Sequence, residues 1–228
     1  MNPSTESIAA LDPVSRRRLM EQRRGQLTEA RWERMAFVAA RRTRWIRVVL
    51  EDIYQGHNAS AILRTCDCFG VQDIHAIELR NRFKANDEIA LGASNWLTVR
   101  RWDEAAGGRA GCLQHLRAQG CSIAVTYLGD NTTTLEELPI DRPIALCFGT
   151  EKDGITPELL AAADHRIRIP MHGFTQSFNV SVTAALCLHT LTTRLHASPH
   201  PWRLSDEERE ILLTQWAVRQ THAPDTAT

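Results

Sequence analysis

From residue 46 onward, short runs dense in Val, Ile, Leu and Thr alternate with longer stretches whose apolar residues recur every three or four positions. The short runs "IRVVLEDI", "IHAIEL", "LTVRRW", "SIAVTYL", "PIALCFG" and "HRIRIPM" read as strands. Between and after them "NASAILRTCDCFG", a stretch from Asp103 to about Gln119, "TPELLAAA" and a long segment running through Leu195 read as helices. This alternation predicts an α/β domain with a mainly parallel sheet. The front of the chain reads as helix, with Thr28 as the cap of "EARWERMAFVAARR" and a break near Thr43. After Pro199 the pattern changes: Ser205 and Glu208 make a capping box, and Ile211, Leu212, Leu213 and Trp216 give the last helix an apolar face that needs a surface to bury against. The boundaries that follow are a helical extension over 1–45, the α/β domain over 46–197 and a helix with tail over 198–228. The first ten residues and the terminal "THAPDTAT" are expected to be disordered.

A chain of 228 residues can bury a substantial core without staples. Its apolar runs are too short to cross a bilayer and its start lacks the order of a secretory signal, so a cytoplasmic location is expected. The six cysteines sit mostly inside apolar periodic segments, where a thiol behaves as a small hydrophobe. "CDC" lacks metal-ligand spacing, and the "HASPH" pair, His196 and His200, runs into prolines that break the helix a two-histidine site needs, so no metal is expected. Charge balances overall, with 27 basic and 27 acidic residues, but not locally. Residues 1–47 carry eleven Arg against five acidic residues, which leaves sixteen basic and twenty-two acidic residues in the remainder. A basic front on an acidic body suits a polyanionic partner at the front.

The usual nucleotide and hydrolase signatures are missing. No G-x-G-x-x-G follows a strand, "FGTEKDG" lacks the Gly-Lys-Ser/Thr ending of a phosphate loop, and no serine nucleophile elbow is visible. Three stretches remain, each at the carboxyl end of an expected strand, where α/β sheets bind ligands: "HNASAILRT", "FGTEKDGIT" and "IPMHGFTQSFNVSV".

Together these stretches resemble the three signature motifs of the TrmH family of SPOUT methyltransferases. "TEARWER" and "SNWLTV" extend the similarity, which runs from Thr28 to the C-terminal helix. The resemblance implies an S-adenosylmethionine-dependent enzyme that methylates a ribose 2'-hydroxyl of RNA, and the front half is most similar to members acting on guanosine-18 in the tRNA D-loop. Methylation of another tRNA or rRNA nucleotide is the nearest alternative, and a non-catalytic RNA-binding knot protein the rival of another class. It implies a C-terminal deep trefoil knot, which periodicity cannot reveal, and a homodimer built through that knot, with the N-terminal helix and Arg34 serving the neighbouring pocket. Carried over by position, Asn58, Arg64, Glu151, Ser177 and Asn179 are the catalytic set. Thr126, Leu128, Gly149, Ile169, Met171 and Phe178 form the cofactor pocket, with Phe178 replacing the more usual Leu. Arg31, Arg34 and Arg42 match basic positions that contact tRNA.

Each residue also has a plainer reading. Arg64 lies opposite the apolar side marked by Ile62, Cys66 and Phe69 and could be ordinary surface. Asn58 at the expected N-cap, and Ser177 or Asn179 before the last long helix, could serve only as caps. Glu151 could be a charge at a helix start. If Arg64 does act, its guanidinium is too weak a base to take the hydroxyl proton, so stabilisation of alkoxide character is the better account.

Overall fold

The computed structural model describes residues 5–221. In chain order its elements are α1 (Thr5–Ala9), α2 (Pro13–Arg24), α3 (Glu29–Ala39), β1 (Ile46–Glu51), α4 (Gly56–Cys68), β2 (Asp73–Ile77), α5 (Asp87–Ala90), β3 (Thr98–Trp102), α6 (Gly108–Ala118), β4 (Ser122–Thr126), β5 (Ile144–Phe148), α7 (Pro157–Ala161), β6 (His165–Ile167), α8 (Val180–His196) and α9 (Asp206–Gln220). They divide into a helical unit, built from the segments up to Arg42 and from Arg203 onward, and an α/β unit spanning Thr43–Trp202.

The α/β unit holds one six-stranded sheet in the order β3-β2-β1-β5-β4-β6, and every neighbouring pair is parallel. The central strand β1 is buried at every position, and Val48 pairs with Ile74 on one side and Leu146 on the other. A parallel sheet needs both faces covered. On one face Val48, Leu50, Ile74, Leu146 and Phe148 pack with Ile62, Leu63 and Cys66 of α4 and Leu188 and Leu191 of α8. On the other, Val49, Ile77, Val125 and Cys147 pack with Cys112 and Leu116 of α6 and Leu159 of α7. All six cysteines are free thiols and all but Cys68 are buried. Helix α6 starts at Gly108, later than the expected Asp103, because Gly107 and Gly108 hold φ of 87° and 54°, outside the helical region.

In the helical unit, Asp12 caps α2 and Thr28 caps α3 through a bond from Arg31 N at 3.3 Å. Ser205 and Glu208 close the capping box of α9 with bonds of 2.8 and 3.2 Å. Helix α9 packs against α1, α2 and α3, and Leu212, Leu213 and Trp216 are buried. Arg16, 2% exposed, joins α2 to α9 by ion pairs to Glu210 at 3.0 Å and Glu207 at 3.3 Å. The disorder expected for the first ten residues does not hold for Thr5–Ala9, which form α1 and bury Ile8. Residues 1–4 and 222–228 lie outside the described residues. No described helix is long and apolar enough to cross a membrane.

Candidate active site

The loops that follow β1, β4, β5 and β6 gather at the carboxyl edge of the sheet. After β1, Gln55 is the N-cap of α4, and Asn58, expected at the cap, is instead the third helical residue. Its amide spans loops: Nδ2 donates to Glu151 Oε1 at 2.8 Å and to Gln55 Oε1 at 3.1 Å, while Oδ1 accepts from Asn179 Nδ2 at 3.0 Å. Asn179 is the N-cap of α8, its Oδ1 accepting from Ser181 N at 2.8 Å. Glu151 does not begin the next helix. It sits in the loop after β5 and faces the start of α4, where the backbone N–H groups of Tyr54 and Gln55 point at its oxygens from 3.4 Å. The carboxylate therefore lies where α4 has unsatisfied N–H groups. Partial burial pushes the Glu151 carboxyl upward, but the Asn58 amide and the surrounding backbone N–H groups outweigh it and hold the group below the ordinary Glu range.

Beside this chain of amides and carboxylate lies a cavity of about 570 Å³. Thr126, Leu128, Gly149, Ile169, Met171 and Phe178 all line it, as do Glu151, Ser177 and Asn179. The volume suits a nucleoside-sized ligand. Apolar walls from Leu128, Ile169, Met171 and Phe178 suit a flat ring, and Thr126, Glu151, Ser177 and Asn179 supply polar groups, so the residues fit S-adenosylmethionine. Gly149 is required here: a Cβ would stand 2.1 Å from the Gly154 carbonyl oxygen across the loop. No group of described residues has the make-up of a metal site.

Glu51 and Thr156 escaped the sequence reading. Glu51 ends β1 with 0% exposure and accepts from Arg109 Nε at 2.5 Å, Thr156 N at 3.0 Å and Thr156 Oγ1 at 2.8 Å. Thr156 caps α7, so Glu51 fixes the far end of the loop that carries Gly149 and Glu151. An acidic residue directly after the apolar run Val48–Leu50 of a fully buried strand was the available signal.

Arg64 is not drawn into the chain. It stands exposed on α4 and is neither bonded to Asn58 or Glu151 nor part of the cavity wall among the described residues. Arg31 and Arg34 are exposed on α3, Arg31 bonded to Gln220 and Arg34 lying 5.5 Å from the Phe37 ring. Arg42 departs from the expected phosphate contact. Its side chain is 1% exposed, with the guanidinium 5.5 Å from the ring of Trp216, because the end of the α3 segment packs toward α9.

A doubly covered parallel sheet, with a polar chain and a nucleoside-sized cavity at its carboxyl edge, defines an α/β protein that binds a small ligand between loops. The model of the SpoU rRNA Methylase family matches residues 45–189, and the chain belongs to that family. It is 37% identical over 186 residues to a tRNA (guanosine(18)-2'-O)-methyltransferase of Borreliella burgdorferi, covering 82% of this chain and 84% of the relative. A tRNA (guanosine(18)-2'-O)-methyltransferase of Thermus thermophilus is 35% identical over 194 residues, or 83% and 96% of the two chains. The crystal structure of the A. aeolicus TrmH/SpoU tRNA modifying enzyme superposes with a TM-score of 0.74 at 30% identity, over 83% of this chain and 95% of that one.

Proposed function

We propose that this protein is a tRNA ribose 2'-O-methyltransferase that uses S-adenosylmethionine and acts on guanosine-18 of the D-loop. The observation that carries the reading is the bonded chain Glu151–Asn58–Asn179, which joins the three motif loops beside a cavity of nucleoside size. When bound, S-adenosylmethionine supplies an electrophilic methyl group on a sulfonium centre. Leu128, Ile169, Met171 and Phe178 give the cavity apolar walls for the bound cofactor, and the Gly149 backbone leaves room for the loop to close. Asn58 holds Glu151 and Asn179 at fixed separations, so the polar side of the site is organised before substrate arrives.

Arg64, exposed at the surface of α4, meets the ribose and stabilises negative charge as it develops on the 2'-oxygen. Arg31 and Arg34 contact phosphates and position the RNA. The parallel order β1-β5-β4-β6, with the loops after β5 and β6 sharing one cavity, supports the trefoil knot that the family resemblance implies. Phe174 and Phe178 before α8, and Val182 and Leu186 on it, are large apolar side chains exposed by 109%, 43%, 45% and 39%, and they support a homodimer through the same region. A cytoplasmic location belongs to the same reading.

Mass spectrometry of tRNA nucleosides from cells lacking the protein tests the assignment. The expected result is loss of 2'-O-methylguanosine mapped to the D-loop. Unchanged methylation there, or loss at a different nucleotide, overturns the choice of guanosine-18.

A further inference from the structure

We propose that the exposed ring of Tyr54 and the cationic loop Arg80–Lys84 form a rim that stacks an unpaired base and grips the phosphates of the RNA beside the reacting nucleotide. This rests on the function proposed above and adds the residues that seat the substrate on the α/β unit. Tyr54 adjoins the site directly: its N–H faces Glu151 Oε2 at 3.4 Å, and the next residue, Gln55, lines the cavity. Its ring is nevertheless 75% exposed. An aromatic face presented to water at the lip of an RNA-modifying site is the kind of platform on which a splayed base stacks.

The neighbouring loop is held in one shape. Asp52, at φ 51°, accepts through Oδ1 from Leu79 N and Arg80 N at 2.8 Å and from Asn81 N at 3.3 Å, and its carbonyl accepts from Asn81 Nδ2 at 2.9 Å. Phe83 is buried, and Asn86 N donates to Ser60 Oγ on α4 at 2.6 Å. Gly56 permits close contact, since a Cβ there would lie 2.9 Å from the Lys84 carbonyl oxygen. With Phe83 turned inward, its neighbours Arg82 and Lys84 are both exposed, as is Arg80. Arg80 lies 4.0 Å from Asp153, a solvated pair that a phosphate can displace. Glu78, the acid at the loop's start, is already engaged by Arg101 at 2.9 Å. Beyond residue 47 the chain has twenty-two acidic and sixteen basic residues, so three cations in five positions beside an exposed tyrosine stand out from the body around them. An RNA backbone is the complementary partner.

The test uses the full-length protein, S-adenosylmethionine and a tRNA transcript under single-turnover conditions, alongside direct tRNA-binding titrations. Tyr54→Ala should raise the tRNA concentration for half-maximal rate by about tenfold or more, as expected for loss of one stacked base, and Tyr54→Phe should restore most of the affinity. Replacing Arg80, Arg82 and Lys84 by Gln should lower the slope of log affinity against log salt by roughly two to three. Cofactor affinity measured by calorimetry should stay at the wild-type value in all variants. Unchanged half-saturation in Tyr54→Ala overturns the proposal. So does a Tyr54→Phe variant as weak as Tyr54→Ala, or a drop in sedimentation mass in Tyr54→Ala, which would show the ring covering a second copy of the chain. If the wild-type protein transfers no methyl group to tRNA, the functional reading fails, and the binding titrations alone decide the rim.

Discussion

Replacing Glu51 with alanine removes an acceptor from two directions at once. The side chain has no exposure, and its oxygens take the Arg109 Nε–H at 2.5 Å and both the N–H and the hydroxyl of Thr156 at 3.0 and 2.8 Å. After truncation Arg109 keeps, among the described residues, only the exposed Glu158, 3.9 Å away, as an acidic partner, and the Thr156 N–H is left facing a void. Breaking one side of a buried ion pair costs roughly 3–5 kcal/mol. Arg109 retains 17% exposure of its side chain, so partial hydration places the loss at the lower end of that range. A loss of about 3 kcal/mol corresponds to a fall of roughly 6–12 °C in melting temperature for a chain of this size. Thermal unfolding followed by circular dichroism measures it, with Arg109→Met and the double variant completing a cycle. The double variant should be more stable than the sum of the single losses predicts, by about 1 kcal/mol or more, because each single change leaves a group stranded that the double change does not. Because Thr156 caps α7 and ends the loop bearing Gly149 and Glu151, Glu51→Ala should also weaken S-adenosylmethionine binding. A loss below about 1 kcal/mol together with strict additivity would refute the reasoning.

Gly149→Ala should abolish measurable cofactor binding in calorimetry while the sheet still folds, since the added methyl would meet the Gly154 backbone at 2.1 Å; wild-type affinity would show that the loop yields freely. Arg64→Ala should lower single-turnover methyl transfer by orders of magnitude with cofactor affinity intact, and Arg64→Lys should fare little better because an ammonium lacks the planar fork; comparable turnover in either variant removes Arg64 from the mechanism. Burial, then the nearby His115, Arg47 and Arg100, depress the pKa of His75 to about 3, and its Nδ1 accepts from Trp102 Nε1 at 3.1 Å, so the folded ring is neutral. The unfolded chain takes up this proton near pH 6.5 and the folded one does not, so stability is full above that value and falls as pH drops toward 3. At pH 5 the loss from this group is about 2 kcal/mol, and His75→Gln, which keeps an acceptor for Trp102, should lose correspondingly less between pH 7 and 5 in urea unfolding; parallel losses would refute the assignment.

The strand and helix pattern was legible in the sequence because it is set locally. All six β-rich runs became strands, and the Thr28 cap and the Ser205–Glu208 box formed between residues a few positions apart. Gly107 and Gly108 show the limit of that reading. Apolar spacing continued the helical period through them, but their positive φ delays the start of the helix to Gly108. In the site, the residues of the Glu151–Asn58–Asn179 chain stood out only through the motif resemblance, since no periodicity links residues so far apart. That Asn58 bridges loops instead of capping its own helix follows from where the β5 and β6 loops arrive.

By itself, then, the sequence determined which segments are strands and helices and that their order is α/β, because hydrogen-bond periodicity and apolar spacing act over a few residues. The tertiary structure alone decided that β5 enters between β1 and β4, which brings Glu151 to the start of α4. It also decided that Glu51 meets Arg109 and Thr156, and that Arg42 turns toward Trp216 instead of solvent. Each of these depends on which surface arrives opposite a side chain. A carboxylate or guanidinium has the same local preferences whether it ends in water, in an ion pair or against a ring, and only the packed fold selects among them.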